Sequence, residues 1–191
     1  RWNIANYEHP FVKGLGDGSL GLNKFQYYLK QDYIFLFYYC KVLAIASWKS
    51  SSTVMMRKWV NLLNETLNSE MDLHRSFCID FGITEVELEE TKPISTTNDY
   101  TKFLIRNAED NPIEFIAVAL LPCQWGYGEI GKNLSENSSL DPESFHYKWI
   151  QSYNSREYQE VTKWLKEFVD FVGRKMDSGK IQELSEVFRR G

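Results

Sequence analysis

The sequence predicts an all-α fold, a single helical bundle of one domain, and three observations support this prediction. Apolar residues recur at spacings of three and four along most of the chain, as in helices with one buried face. No segment alternates polar and apolar residues in the way that a half-buried strand does. The 191 residues, of which 43% are hydrophobic, suffice for one core. We therefore expect one helical domain over residues 1–191.

Charge and cysteine content narrow the class of protein. The chain has 22 Lys and Arg against 26 Asp and Glu, a net charge of −4 without a basic stripe, which argues against nucleic acid as a partner. The longest apolar run, 34–46, is interrupted by Lys41, so no membrane span is expected. The three cysteines are widely spaced and odd in number, which is more typical of free thiols in a reducing compartment than of a set of disulfides. We therefore expect a cytoplasmic protein.

The first part of the chain contains a long helix that is central to the predicted bundle. Residues 1–8 resemble the end of a helix whose beginning is missing, and four glycines within 14–21 predict a turn. Over 22–47, apolar and aromatic residues occupy most of the helix circumference. This pattern is typical of a helix buried on nearly all sides.

Asp32 lies inside this helix, in helical register with Tyr28 and Phe35. A buried carboxylate without a partner costs on the order of several kcal/mol, so we expect a cation, a donor or a bound ligand opposite it. Two interpretations stay open. One is an ion pair with Lys30 or Lys41 at the surface, and the other is a carboxylate that faces a ligand.

A third helix is predicted over 53–81, with Gly82 as its C-terminal cap. Its apolar stripe, at spacings of three and four, comprises Met56, Val60, Leu63, Leu67, Met71, His74, Cys78 and Phe81. His74 follows Glu70 by one turn, so the two are candidate metal ligands. Their spacing differs from the Glu-x-x-His of di-iron bundles, and the chain has only three histidines, so a core histidine oriented by a carboxylate is the preferred interpretation.

Further helices are predicted up to the end of the chain. Their ranges are 99–111, 113–134, 145–153, 155–176 and 180–188, with a polar connection over 84–97 and a loop over 135–142. The helix over 99–111 carries Tyr100 near its N-terminus. No internal repeat or low-complexity linker separates these segments, which favours one domain.

The helix over 113–134 contains Pro122 and Cys123 in the middle of an apolar run. Proline removes one main-chain donor, so we expect a kink there, with Cys123 at the start of a new helical segment whose dipole favours a thiolate. Tyr127 follows one turn later on the same face, and Gly126 and Gly128 are expected to leave room beside it. The alternative is a structural cysteine that fills space in a kinked helix, and this stretch alone favours that alternative.

Four blocks of sequence carry a family resemblance. In chain order they are 9–20 (HPFVKGLGDGSL), 27–33 (YYLKQDY), 120–127 (LLPCQWGY) and 147–153 (YKWIQSY). Each block alone is moderately specific. Together, in this order and spacing, they resemble the TenA/thiaminase II family over essentially the whole chain, and Cys123 places the chain with the cysteine-containing members.

The resemblance implies a haem-oxygenase-like helical bundle that forms a homotetramer and uses no metal, haem or other cofactor. The family hydrolyses aminopyrimidines. It cleaves thiamine, or the base-degraded product 4-amino-5-aminomethyl-2-methylpyrimidine, to 4-amino-5-hydroxymethyl-2-methylpyrimidine for thiamine salvage. We therefore expect a hydrolase acting on C–N bonds, with thiamine or a small aminopyrimidine as its ligand.

The resemblance also implies roles for the matching residues. Cys123 would be the nucleophile that adds to the pyrimidine ring and makes the exocyclic methylene substituent a leaving group, while a nearby acid protonates a ring nitrogen. Asp32 would bind the amino group of the ring and the adjacent nitrogen, and Phe35 would stack on the ring. The other pocket residues would be Tyr100, Tyr127 and Tyr153, the last with a hydrogen-bonding role beside the cysteine.

The acid has no match in this sequence. In the family it is a glutamate on the last helix, followed by an aromatic-rich segment with a Phe-Trp pair. Neither Glu183 nor Glu186 has that context, so no acid is assigned, and we expect the ends of the domain to extend beyond residues 1–191.

Two other functions stay open at this point. A non-catalytic member would bind a pyrimidine or thiamine without turnover. The second alternative is a different enzyme on the same fold, such as a di-iron oxidase or a cofactor-building oxidase. The scarcity of histidines weighs against a di-iron site. Fusion to a kinase or phosphatase domain of the same pathway, as occurs in the family, is also compatible with the sequence.

Overall fold

Helices make up the regular structure of the described part of the chain. A computed structural model describes residues 2–136 and 139–191, and no residue in these two ranges lies in a strand. The α-helices are α1 (Pro10–Asp17), α2 (Leu22–Lys49), α3 (Thr53–Glu65), α4 (Met71–Asp80), α5 (Glu85–Glu90), α6 (Ser95–Asp110), α7 (Ile113–Glu136), α8 (Phe145–Asn154), α9 (Arg156–Gly173) and α10 (Ser178–Arg190). Two π-helical turns, Ile4–Glu8 and Thr66–Glu70, accompany them. The prediction of an all-α fold is confirmed.

The chain divides into two compact units. The first comprises Arg1–Lys24 and Leu120–Arg189, and the second comprises Phe25–Ala119 with Arg190–Gly191. The boundaries fall inside α2 and α7, so each of these helices contributes residues to both units. Buried apolar side chains form a core in each unit, among them Leu15, Ile150 and Leu165 in the first and Phe25, Leu43 and Leu104 in the second. The single domain over 1–191 stays a prediction.

Side-chain caps set where several helices begin. Each cap accepts a hydrogen bond from a main-chain N–H of the first turn, a donor that the helix itself leaves unpaired. The caps are His9 for α1, Ser52 for α3, Thr84 for α5, Ser144 for α8 and Ser155 for α9. Thr84 explains why α5 forms inside the segment 84–97, which was expected to be a polar connection. Glu85 and Glu87 add negative charge to its first turn, where the helix dipole favours it.

The glycine-rich segment 14–21 is helical in its first half, contrary to the predicted turn. Gly14 and Gly16 lie within α1, and a Cβ atom on Gly16 would meet the Leu134 side chain at 2.7 Å. The helix ends at Gly18, whose φ of 75° is a left-handed conformation that favours glycine. The glycines therefore permit close packing within α1 and the turn only after it.

The predicted helix over 53–81 is divided by the π-helical turn Thr66–Glu70, and this changes which of its residues are buried. A π turn holds one residue more than an α turn, so the side chains before it are rotated relative to a continuous α-helix. The buried residues are Trp59, Leu62 and Thr66 up to the turn and Met71, His74, Phe77 and Cys78 after it. Met56 and Val60 before the turn and Leu67 within it are 40%, 45% and 42% exposed, so the predicted stripe is wrong at these three positions.

The helix ends agree with the predicted ranges to within a few residues. Gly82 ends α4 as predicted, with a φ of 71° and its N–H donating to the carbonyl of Ile79 at 3.1 Å. The helix α7 ends at Glu136, inside the predicted loop 135–142. Residues 137 and 138 of that loop lie outside the described residues. None of the helices within 2–136 and 139–191 has the length and apolar character that crossing a membrane requires.

Candidate active site

Asp32 is buried on α2, and one of its carboxylate oxygens has two partners within the second unit. The hydroxyl of Tyr28, one turn earlier, donates to Oδ2 at 2.9 Å, and Nε2 of His74 lies 2.7 Å from the same oxygen. The side chains of His74 and Asp32 are 3% and 8% exposed. The partner that burial of Asp32 requires is therefore present, as a histidine ring together with a hydroxyl donor.

The two lysines that were considered as partners of Asp32 point elsewhere. Lys30 forms an ion pair with Glu87, and the ammonium of Lys41 lies 4.3 Å from the ring centre of Phe37. The surface ion-pair interpretation is wrong, because the histidine occupies the position opposite the carboxylate.

His74 is a core histidine oriented by a carboxylate, as predicted, but the carboxylate is that of Asp32. Glu70 contributes its main-chain carbonyl, 2.9 Å from Nδ1. Burial lowers the pKa of His74, whereas the hydrogen bond to Asp32 and the charges of Asp32 and Glu70 raise it, and the resulting pKa lies above the ordinary value. Helical spacing indicated Glu70, and no local pattern indicates a partner 42 positions away in the chain.

Phe35 on α2 and Tyr100 on α6 form a stacked pair. Their ring centres are 5.6 Å apart and their planes are within 3° of parallel. Phe35 follows Asp32 by three residues, so both side chains leave the same face of α2. A ring inserted between the two would need planes about 7 Å apart, because stacked rings contact at about 3.5 Å. In this arrangement no ring fits between the two, and the ring of Phe103 also stacks on Tyr100, with ring centres 6.5 Å apart.

Cys123 lies inside α7, which runs through Pro122 as one helix, Ile113–Glu136. The expectation that Cys123 begins a separate helical segment is wrong, because the residues on both sides of the proline remain helical. The missing N–H of Pro122 removes one hydrogen bond to the carbonyl of Val118, but it does not place Cys123 at a helix N-terminus. Cys123 is partly exposed, and Tyr127 follows one turn later on the same face.

Tyr127 and Tyr153 meet in an aromatic cluster of the first unit that includes Trp149. The ring centres are 4.8 Å apart for Tyr127 and Tyr153, 4.6 Å for Trp149 and Tyr153, and 5.9 Å for Tyr127 and Trp149. The structure thus brings two predicted pocket residues together. Trp149 was not among the predicted site residues, although its position four residues before Tyr153 on α8 indicates a shared face.

The glycines beyond Cys123 on α7 serve helix packing. A Cβ atom on Gly128 would lie 3.4 Å from the Gln159 amide, and one on Gly131 would lie 2.7 Å from the main-chain carbonyl carbon of Tyr153. Gln159 also donates to the carbonyls of Gly128 and Tyr153, at 3.1 Å each. Side chains of α9 thus lie at ordinary contact distance from a Cβ atom on Gly128, and the expected room beside Tyr127 stays a prediction.

The other two cysteines are buried thiols. Burial raises the pKa of Cys40 to about 11, and the charge of Glu70 contributes. Burial likewise raises the pKa of Cys78 to about 11. Both side chains are therefore protonated at neutral pH, and Cys123 is the cysteine with the exposure that a nucleophile needs.

The glutamates of α10 take part in ion pairs near the surface. Glu183 pairs with Lys180 at 2.8 Å, and Glu186 pairs with Arg189. Neither is assigned as the acid. Over residues 2–136 and 139–191, histidine, cysteine and acidic side chains do not gather in any group of three or more that would hold a metal ion.

Comparison with known proteins identifies the family. The model of the TENA/THI-4/PQQC family matches residues 1–191. The chain belongs to the TENA/THI-4/PQQC family. The resemblance to TenA proteins found in the sequence is therefore confirmed.

Two curated members of the TENA/THI-4/PQQC family that the chain resembles are named aminopyrimidine aminohydrolase. The protein from Halalkalibacterium halodurans is 38% identical over 184 residues, which cover 96% of this chain and 82% of the relative. The protein from Helicobacter pylori is 33% identical over 180 residues, which cover 94% of this chain and 83% of the relative.

A solved structure supports the TenA-like fold. It is described as a TenA family transcription regulator from Silicibacter sp. TM1040, with a TM-score of 0.89 and 31% sequence identity. The match covers 98% of this chain and 84% of the other. The predicted all-α fold of the TenA type is confirmed.

Proposed function

We propose that this chain is an aminopyrimidine aminohydrolase of thiamine salvage. It hydrolyses the C–N bond that joins the exocyclic methylene carbon of a 4-aminopyrimidine to its amine substituent. The substrate is 4-amino-5-aminomethyl-2-methylpyrimidine, thiamine or both, and the product is 4-amino-5-hydroxymethyl-2-methylpyrimidine. The enzyme class, a hydrolase acting on C–N bonds, is that of the two curated relatives.

The observation that carries this proposal is the oriented carboxylate of Asp32, three residues before Phe35 of the stacked pair on the same helix. Tyr28 and His74 both bind Oδ2, so the carboxylate is held in place before a ligand arrives. The aromatic pair offers a face for a flat ring, and the carboxylate offers an acceptor for a ring amino group. Both features suit the recognition of a flat ring that carries an amino group.

Cys123 is the proposed nucleophile. Its thiolate adds to a ring carbon while a ring nitrogen takes up a proton, and the ring electrons then expel the amine from the exocyclic methylene carbon. The amine of the aminomethyl substrate takes up a proton as it leaves, and water adds to the methylene carbon with loss of a proton. Loss of the sulfur together with the proton on the ring nitrogen then restores both the aromatic ring and the thiolate. Water is the only co-reactant, so no cofactor is proposed. Tyr153 is proposed to donate a hydrogen bond beside the sulfur.

We also propose that the protein is a cytoplasmic homotetramer, as the family resemblance implies. Light scattering on the purified chain tests the assembly. The expected mass is four times the chain mass of 22.5 kDa. The mass of a single chain would contradict the tetramer.

Chromatographic product analysis tests the activity. The protein is incubated with the aminomethyl pyrimidine and, separately, with thiamine. Release of the hydroxymethyl pyrimidine by the unsubstituted chain, and its loss in Cys123→Ser, is the expected result. Cys78→Ala is the matched control, because Cys78 is buried and has a pKa of about 11, and it is expected to keep the activity. The two rates rank the substrates.

Each other outcome points to a specific alternative. A folded protein that binds the hydroxymethyl pyrimidine but releases no product would be a pyrimidine-binding member of the family. Full activity in Cys123→Ser would reject the nucleophile while keeping the hydrolase. Asp32→Asn is expected to weaken binding of the pyrimidine product, whereas Cys123→Ser is expected to leave it nearly unchanged.

A further inference from the structure

We propose that His74 is a positioning residue, an imidazolium that holds Oδ2 of Asp32 and leaves Oδ1 to accept a hydrogen bond from the amino group of the substrate. The identity of that substrate rests on the proposed function. The protonation state of His74 follows from the structure of the resting protein and is tested without any substrate.

The partners of the imidazole determine where its protons lie. Nδ1 faces the main-chain carbonyl of Glu70, which accepts and cannot donate, so Nδ1 carries a proton. Nε2 faces Oδ2 of Asp32 at 2.7 Å, a distance that requires a proton between the two atoms. Imidazole is the stronger base of the two groups, and the hydroxyl of Tyr28 donates to the same carboxylate oxygen. The proton therefore resides on Nε2, and the pair is an imidazolium with a carboxylate.

The charged groups around the pair support this assignment. Glu70 precedes α4 and adds negative charge near the imidazole. Arg75, on the same helix, is engaged with Asp72 at 2.7 Å, so it does not compete for Asp32. The thiol of Cys40 on α2 is neutral at physiological pH because its pKa is about 11. The balance around His74 is thus negative, which favours a cation at this buried position.

The arrangement on Asp32 has a consequence for recognition. Both protein hydrogen bonds to this carboxylate within the described ranges end on Oδ2, so Oδ1 is the oxygen that a ligand can engage. A carboxylate oxygen accepts from an amino group and repels a carbonyl oxygen at the same ring position. The site is therefore expected to take 4-aminopyrimidines and to reject their 4-oxo analogues by more than about 100-fold in kcat/KM.

Nitrogen NMR of the whole protein, labelled in its histidines, tests the protonation state. The chain has three histidines, and His74→Gln identifies the resonances of His74. At pH 7.5 an ordinary histidine with a pKa near 6.5 is about 10% protonated. The expected result is that both ring nitrogens of His74 have the shifts of protonated nitrogen at that pH. An unprotonated Nε2, or titration near 6.5, would overturn the proposal.

Kinetics tests the positioning role. Glutamine keeps a donor near Oδ2 but carries no charge, and a buried carboxylate that has lost its cation is protonated more readily. In His74→Gln the acidic limb of the kcat/KM profile is expected to move upward in pH. His146→Gln is the matched control, because His146 is also buried and bonds the main-chain carbonyl of Leu20.

The two measurements separate two kinds of failure. An unchanged profile in His74→Gln would reject the positioning role while leaving the aminohydrolase intact. A protein without aminohydrolase activity would reject the proposed function, and the NMR result would still decide the state of the pair.

Discussion

A Cβ atom on Gly131 would lie 2.7 Å from the main-chain carbonyl carbon of Tyr153, which is closer than unbonded carbon atoms approach. Gly131 is therefore the position at which α7 and α8 meet most tightly around a proposed site residue. The atom that blocks a side chain there belongs to the main chain, so it cannot rotate away as a flexible side chain would.

The first prediction concerns this contact. Gly131→Ala forces α7 and α8 apart and is expected to lower the free energy of unfolding by about 2–3 kcal/mol. Gly173→Ala is the control, because, apart from neighbouring residues of its own helix, nothing lies within 4 Å of a Cβ placed there. It is expected to stabilise the protein by about 0.5 kcal/mol through the higher helix propensity of alanine. Urea unfolding measures both changes, and equal effects of the two substitutions would contradict the packing argument.

The second prediction concerns the aromatic pair. Phe35→Leu removes one ring of the stack, and an aromatic contact contributes about 0.5–1.5 kcal/mol beyond its buried area, so KM is expected to rise about 3- to 10-fold. Phe37→Leu, at a 51% exposed position on the same helix, is the control and is expected to leave KM unchanged. Steady-state kinetics with the aminomethyl pyrimidine measures both. A change in Phe37→Leu as large as that in Phe35→Leu would show that general damage to α2 causes the effect.

The third prediction concerns thiol reactivity. At pH 8, a thiol with a pKa of about 11, as for Cys40 and Cys78, is ionised to about one part in a thousand, and both side chains are buried. A disulfide reagent is therefore expected to modify one thiol per chain rapidly in the native protein and three in urea. Cys123→Ser is expected to abolish the rapid phase. A rapid phase that persists in this variant would show that a second cysteine is accessible.

The fourth prediction concerns the pH dependence of stability. The pKa of His74 is raised in the folded protein, so the folded state binds the proton more tightly than the unfolded chain does. The stability contributed by this proton is fully present below the unfolded pKa of about 6.5, and it is lost as pH rises through the higher folded pKa. Urea unfolding between pH 6 and 9 measures it.

His74→Gln serves as the reference for that experiment. The free energy of unfolding of the unsubstituted protein is expected to fall more steeply above pH 6.5 than that of the variant. Parallel curves would mean that the imidazole does not hold its proton more tightly in the folded state. The comparison is restricted to pH values below 9, where the buried thiols stay protonated in both proteins.

Local patterns in the sequence predicted the helices and the family. The predicted and observed helices differ where tertiary packing determines whether a residue is helical. The glycines of α1 predicted a turn because glycine is a poor helix former, but Gly16 lies inside a helix, where the Leu134 side chain approaches it closely. Pro122 predicted a new segment, yet one missing hydrogen bond does not end a helix of 24 residues in which residues 115–121 are all buried.

The sequence indicated candidate site residues, but it did not indicate which of them contact each other in the folded protein. The need for a group opposite Asp32 follows from the cost of burying a carboxylate, whereas its identity as His74 depends on a contact between distant segments. Trp149 escaped the prediction because an aromatic residue at helical spacing is more often part of the core. The pairing of Phe35 with Tyr100 likewise requires knowledge of how α2 packs against α6.

Because the turn at Thr66–Glu70 holds one residue more than an α-helical turn, the backbone of this segment depends on the number of its residues as well as on their types. Thr66, the first residue of the turn, and Met71, the residue after it, are both buried and five positions apart, one more than regular helical spacing allows. If this segment were one residue shorter, it would form a regular α-helix, and the buried residues before and after the turn would lie on one face. A substitution cannot have this effect, because it does not change the number of residues. A single-residue gap in this segment, in the alignment of an otherwise similar protein, would therefore mark a change of backbone without a change of core.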